Sequence, residues 1–156
     1  MIDITKVPEI RIAYVNPIPV KDRIKITQAS EMADLMFQWW HKFMPDSVGY
    51  VESFVIAMLN KPQHVLGARC IGVGGISGLA LDIRVVAQHA IKANASYVIL
   101  CHNHPSGNPD PSDQDKNLTR EISKALGVLN IEVLDHIIIT PDPKVFHSFC
   151  ENGPGI

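Results

Sequence analysis

The sequence predicts an α/β fold in which a mixed β-sheet is flanked by α-helices. Two observations carry that expectation. From residue 51 the chain alternates short apolar runs with stretches of helical periodicity, in the order strand, strand, helix, strand, helix, strand, strand. The composition is that of a globular protein, with 46% hydrophobic and 19% charged residues, which excludes a disordered chain. At 156 residues the chain is long enough for one domain with a buried core.

Residues 8–26 hold short apolar stretches cut by Pro17 and Pro19, and read as an irregular arm with one strand near residues 10–14. Thr27 is a plausible cap for a helix over residues 27–43. Met32, Leu35, Met36, Trp39 and Phe43 lie at helical spacing and give it one apolar face. That face, tryptophans included, is explained by packing, either within the chain or in a homodimer. Pro45-Asp46 ends the helix. Residues 51–59 form an apolar, partly β-branched strand, and residues 64–73 its hairpin partner across the turn Asn60-Lys61-Pro62-Gln63.

Gly72, Gly74, Gly75 and Gly78 follow. They lack the lysine and spacing of a phosphate loop, so they read as a tight bend or a close backbone approach, with Gly75 and Ser77 as candidates to line a cleft. Asp82 caps a helix to about residue 93, striped by Ile83, Val86, Ala87, Ala90 and Ile91. Residues 96–101 form a buried strand. A loop over 102–111 leads to a helix over 112–126, with Leu118, Ile122 and Leu126 inward and Gly127 just past its end. Strands over 131–139 and 145–149 close the fold around the turn Pro141-Asp142-Pro143.

The net charge is −2 and no basic run occurs, so nucleic acid finds no broad electrostatic footprint. Cys70, Cys101 and Cys150 are few and scattered in apolar settings, and read as buried thiols of a reducing compartment. Met1-Ile2-Asp3-Ile4-Thr5-Lys6 has no signal-peptide pattern, and no run of eighteen apolar residues is long enough for a membrane span. A cytoplasmic location is the expectation.

The chemistry concentrates at 102–115. His102 and His104 stand at i and i+2 past a strand, so an extended backbone turns both imidazoles to one side. Pro105 holds His104 in the extended region. Asp115, in the first turn of the next helix, can close on the same point. Three protein ligands with one open position are the pattern of a catalytic zinc site. Ser112-x-x-Asp115 is also a capping box, so both residues have a purely structural explanation. Glu52 opens an otherwise apolar strand, as an exposed strand-end charge or as a working carboxylate.

His102-x-His104, seven residues, Ser112, two residues, Asp115 resembles the JAMM motif of MPN-domain metalloproteases. The longer string HNHPSGNPDPS is similar to the RadC branch of that superfamily. The resemblance extends to Glu52-Ser53-Phe54, Leu59-Asn60 and Val133-Leu134-Asp135-His136, and covers about residues 47–153. It implies a deaminase-like mixed sheet, the JAB/MPN fold, over residues 47–156, with residues 1–46 as an N-terminal arm and helix packed on it. Residues 1–46 show no helix–hairpin–helix module and look like the short stand-alone members. The resemblance implies His102, His104 and Asp115 as zinc ligands. Ser112 is implied as the hydroxyl that holds an oxyanion, and Glu52 as general base on the attacking water.

Asn103 and Ser106 are read as loop residues that donate to substrate or to ligands, or as plain loop polarity. His136 is either a hydrogen-bonded core histidine or a residue beside the site. His41, His64, His89 and His147 fit no ligand spacing. The function expected is a zinc-dependent hydrolase of peptide or isopeptide bonds. The alternative is an accessory protein of DNA repair or of mobile elements, acting on or near nucleic acid. A nucleobase deaminase is excluded by the missing His-x-Glu and Pro-Cys-x-x-Cys. A metal-free interaction domain is disfavoured because every ligand position is filled.

Overall fold

The computed structural model describes residues 13, 17–45, 47–74, 81–153 and 155–156. Of the strand expected near residues 10–14 only Ala13 is among them, and Gly75, Ser77 and Gly78 lie outside them. Helix α1 spans Ala29–Phe43. Strands β1, Ser53–Leu59, and β2, Val65–Val73, follow, then α2, Ile83–Lys92, and β3, Tyr97–Asn103. Helix α3 spans Asp113–Gly127, β4 Glu132–Ile139 and β5 Phe146–Ser148, and a short α4, Phe149–Asn152, comes last.

The five strands form one sheet in the order β2-β1-β3-β4-β5. Only β3 and β4 are parallel, joined through α3; the other pairs are antiparallel. Every side chain of β1 is buried, because the sheet is covered on both faces. Val55, Ala57 and Leu59 pack with Ile99, Cys101, Ile137 and Ile139 against α1. Phe54, Ile56 and Met58 pack with Val98, Leu100 and Val133 against α2 and α3.

Helix α1 begins at Ala29 with Gln28 as its N-cap, not Thr27. Thr27 instead donates its backbone N–H and its hydroxyl to Glu31 Oε2, at 2.7 and 3.0 Å. The inward face of α1 is carried by Ala29, Met32, Ala33, Met36 and Trp40. Its centre is thus Trp40 rather than Trp39, and Phe43 is exposed. The apolar face of α1 is covered by the chain's own sheet. Gly127 is the last residue of α3 and does not lie beyond it. The left-handed residue of that turn is Asn130, at φ 56°, whose side chain tolerates the conformation. The last strand is shorter than expected, because Ser148 caps α4 by accepting from Glu151 N–H. Cys101 is buried and Cys70 half-buried, but Cys150 is exposed, so the expectation of three buried thiols fails at the chain's end; all three are free.

One irregularity decides what faces α3. Val98 pairs with Val133, but Ile99 pairs with Asp135, so β4 carries one extra residue at that step. In regular pairing Asp135 would stand opposite Leu100 on the α3 face. The extra residue puts His136 there instead. A shift of one residue exchanges the faces of everything downstream.

Candidate metal centre

The candidate site lies where the carboxyl end of β3 meets the amino end of α3. His102 is the next-to-last residue of β3, and His104 follows it, held by its N–H to Ile139 C=O at 2.8 Å. Ser112 caps α3. It accepts from Asp115 N–H at 3.1 Å, while Asp115 Oδ2 accepts from Ser112 N–H at 2.8 Å and from its hydroxyl at 2.6 Å. The capping box is therefore real, and it aims the Asp115 carboxylate at the histidines.

Ligand atoms of Glu52, His102, His104 and Asp115 all lie within 4.8 Å of one another. His102 Nε2 is 2.9 Å from His104 Nε2 and 3.3 Å from Asp115 Oδ1, and His104 Nε2 is 3.7 Å from Asp115 Oδ2. Ligands bound at about 2.0–2.1 Å around a tetrahedral zinc stand about 3.3 Å apart, so these separations fit such an ion. His104 Nδ1 lies 2.8 Å from Asn108 C=O, an acceptor, so it carries the ring hydrogen and leaves the Nε2 lone pair facing His102. Imidazole nitrogens and a carboxylate this close need a positive charge between them, a proton or a metal.

The electrostatics agree. Burial holds His102 neutral, its pKa lowered to about 4. Interaction with Asp115 raises that of His104 despite partial burial. Burial pushes Asp115 up, but hydrogen bonds and charge from His104, His102 and Ser112 outweigh it, leaving the carboxyl well below its usual range. Glu52 moves the other way, raised first by burial and then by Asp115. The two carboxyl groups are thus shifted in opposite directions, Asp115 toward the ionised form and Glu52 toward the protonated one. A cavity of about 190 Å³ opens in front of them, lined by Glu52, Phe54, His104, Ser112, Gln114, Asp115 and Leu118.

Asn103 is not a loop residue. It ends β3 fully buried and grips the backbone on both sides of Glu52. Its Nδ2 donates to Val51 C=O at 2.9 Å and to Val48 C=O at 3.0 Å, while its Oδ1 accepts from Ser53 N–H at 2.8 Å and Ser53 Oγ at 2.9 Å. Trp40 Nε1 donates to the same Ser53 Oγ at 2.8 Å, and Gly74 N–H to Glu52 C=O at 2.7 Å. Glu52 is therefore held at once from α1, from β3 and from Gly74, the residue after β2. Ser106 is exposed and accepts only weakly from Asn108 N–H, at 3.4 Å, as plain loop polarity.

His136 is wholly buried and touches the cluster: its Nε2 is 2.8 Å from His102 Nδ1. Among the described residues no other histidine joins the group of potential ligands. Thr119, one turn after Asp115, was not singled out by the sequence. Only its i+4 relation to Asp115 on the inward face of α3 hints at it.

Residues 26–154 match the family profile of the RadC-like JAB domain. The chain belongs to the RadC-like JAB domain family. The match takes in α1, upstream of residue 47, and the five-stranded mixed sheet with helices on both faces is the fold expected of a JAB domain. Similar proteins include a UPF0758 protein of Clostridium acetobutylicum, 35% identical over 132 residues, or 85% of this chain and 54% of that protein. A UPF0758 protein of Flavobacterium johnsoniae is 38% identical over 102 residues, 65% of this chain and 44% of its own. One of Alkaliphilus metalliredigens is 44% identical over 102 residues, 65% of this chain and 43% of its own. The chain spans about half the length of the curated relatives it matches. Among the described residues of this JAB domain, no helix is long and apolar enough to cross a membrane.

Proposed function

We propose that this chain is a zinc-dependent hydrolase of the metallopeptidase type, acting on peptide or isopeptide bonds. The observation that carries the reading is the convergence of His102, His104, Asp115 and Glu52 within 4.8 Å at the wall of a cavity. His102, His104 and Asp115 would hold the ion and leave a fourth position open. Zinc, when bound, polarises a carbonyl oxygen and lowers the pKa of a water it holds to about 7.

Glu52 takes the role of general base. Its raised pKa suits a carboxylate that removes a proton from the attacking water and passes it to the leaving amine. The clamp of Asn103 on both flanks of Glu52 limits its wandering, so the carboxylate stays within reach of the ligands. Ser112 lines the same cavity, and its hydroxyl donates to Asp115 Oδ2. To support a tetrahedral oxyanion it must exchange that acceptor for the substrate oxygen.

Metal analysis of purified protein should find about one zinc per chain, lost in His104→Ala and kept in Glu52→Gln. Protein that takes up no zinc at any concentration removes the hydrolase reading. Turnover in Glu52→Gln should fall about 100- to 10,000-fold, and a variant that cleaves as fast as wild type removes Glu52 from its role.

A further inference from the structure

The geometry points to a hydrogen-bond relay from the backbone of α3 through Thr119 and His136 that locks His102 in the tautomer with hydrogen on Nδ1. This keeps the Nε2 lone pair aimed at the cluster before any ion arrives. The inference builds on the metal site proposed above and adds two positioning residues to it.

The direction of the relay follows from counting hydrogens. Thr119 Oγ1 lies 2.6 Å from the backbone carbonyl of Asp115 and 2.6 Å from His136 Nδ1. A carbonyl only accepts, so the single hydroxyl hydrogen of Thr119 points to Asp115. The other neighbour must then donate, which places the ring hydrogen of His136 on Nδ1. His136 is wholly buried, and a neutral imidazole with its hydrogen on Nδ1 presents Nε2 as an acceptor. His102 Nδ1, 2.8 Å away, supplies the hydrogen. One bond remains for His102: Nε2 toward His104 and Asp115.

Packing holds the ring planes that this chain of bonds requires. Phe54 stacks on His102 with ring centroids 6.0 Å apart and an interplanar angle of 8°. Phe149 stacks on His136 at 4.8 Å and 23°. Thr119 stands one turn behind Asp115, so the carbonyl that anchors the relay belongs to the residue whose carboxylate faces the same histidines. The relay thus closes a loop from ligand to ligand through α3. A partner that orients the far nitrogen of a ligating imidazole typically changes metal affinity by about 10- to 100-fold.

The test is nitrogen-15 NMR of metal-free protein with labelled histidine. His102 should show a protonated Nδ1 and a bare Nε2 in wild type, and should lose that single tautomer in His136→Leu and in Thr119→Val. His136→Gln can still accept from His102 and donate to Thr119, so it should restore the tautomer. In competition with a chromophoric chelator, zinc should bind about 10- to 100-fold more weakly to His136→Leu, with His136→Gln close to wild type. A His102 carrying its hydrogen on Nε2 in wild type overturns the relay, as does an unchanged tautomer in folded Thr119→Val. Wild-type protein that binds no zinc removes the metal reading of the preceding subsection, while the tautomer still decides the relay on its own.

Discussion

Helix α3 presents one buried stripe, Asp115, Thr119, Ile122 and Leu126, whose two halves do different work. Ile122 and Leu126 pack with Val98, Leu100 and Val133 in a wholly apolar cluster. Asp115 and Thr119, on the same stripe, spend their polar atoms on Ser112, His102, His104 and His136. The apolar half contributes stability by removing hydrocarbon from water. The polar half must satisfy each buried group, which it does with bonds that also orient the candidate ligands. A helix one turn shorter at its amino end would keep its core and lose its chemistry.

The sharpest way to break this division is at its apolar end. Leu126→Ala should destabilise the fold by about 2–5 kcal/mol in urea denaturation. It should leave zinc affinity within about twofold, since about three turns of helix, roughly 16 Å, separate Leu126 from Asp115. A large loss of affinity would show that the halves are one unit.

The pH dependence probes the polar half. Unfolded histidine titrates near pH 6.5, whereas His102 stays neutral to about 4 and His136 is also lowered by burial. Across that window the unfolded chain binds more protons, so both histidines withdraw stability from the metal-free protein as pH falls from 6.5 toward 4. His104 has the opposite sign: raised by Asp115, it contributes stability below the unfolded value that is lost as pH rises through its folded pKa. Urea midpoints should therefore fall on acidification from pH 6.5. Zinc bound as proposed would compete with one proton, the one on His104, because burial holds His102 bare and its neighbours hold Asp115 ionised. Affinity should drop about tenfold per pH unit below the His104 pKa, and a hundredfold slope would contradict a neutral His102.

The smallest effect expected is at the helix start. Ser112→Ala removes the cap of α3 and should lower stability by about 1 kcal/mol in thermal unfolding. An unchanged melting temperature would mean that the capping box serves only to aim Asp115.

The 102–115 segment was legible because its candidate ligands, cap and helix start lie within fourteen residues, where strand alternation and capping rules apply directly. The element order from β1 to β5 was legible for the same reason. Other features depend on contacts between distant parts of the chain. Asn103 looks like loop polarity until Ser53, fifty residues away, is placed beside it. Trp40 rather than Trp39 faces inward because the sheet, and Ser53 on it, chooses the face of α1. The position of His136 could not be read from alternation, because the extra residue in β4 reverses the alternation just before it. Helix α4 is a single turn, too short for a periodic signal.

That extra residue makes the site answerable to chain length as well as to side-chain identity. Asp135 and His136 are neighbours in sequence on opposite faces of the sheet. Asp135 accepts from Ser148 Oγ at 2.6 Å on one face, and His136 meets His102 on the other. Gain of a single codon between Val133 and Asp135, with the bulge still one residue deep, would trade their places. A carboxylate would then stand behind His102, its charge would make the imidazole a stronger electron donor, and the reactivity of the centre would change with every candidate ligand still in place.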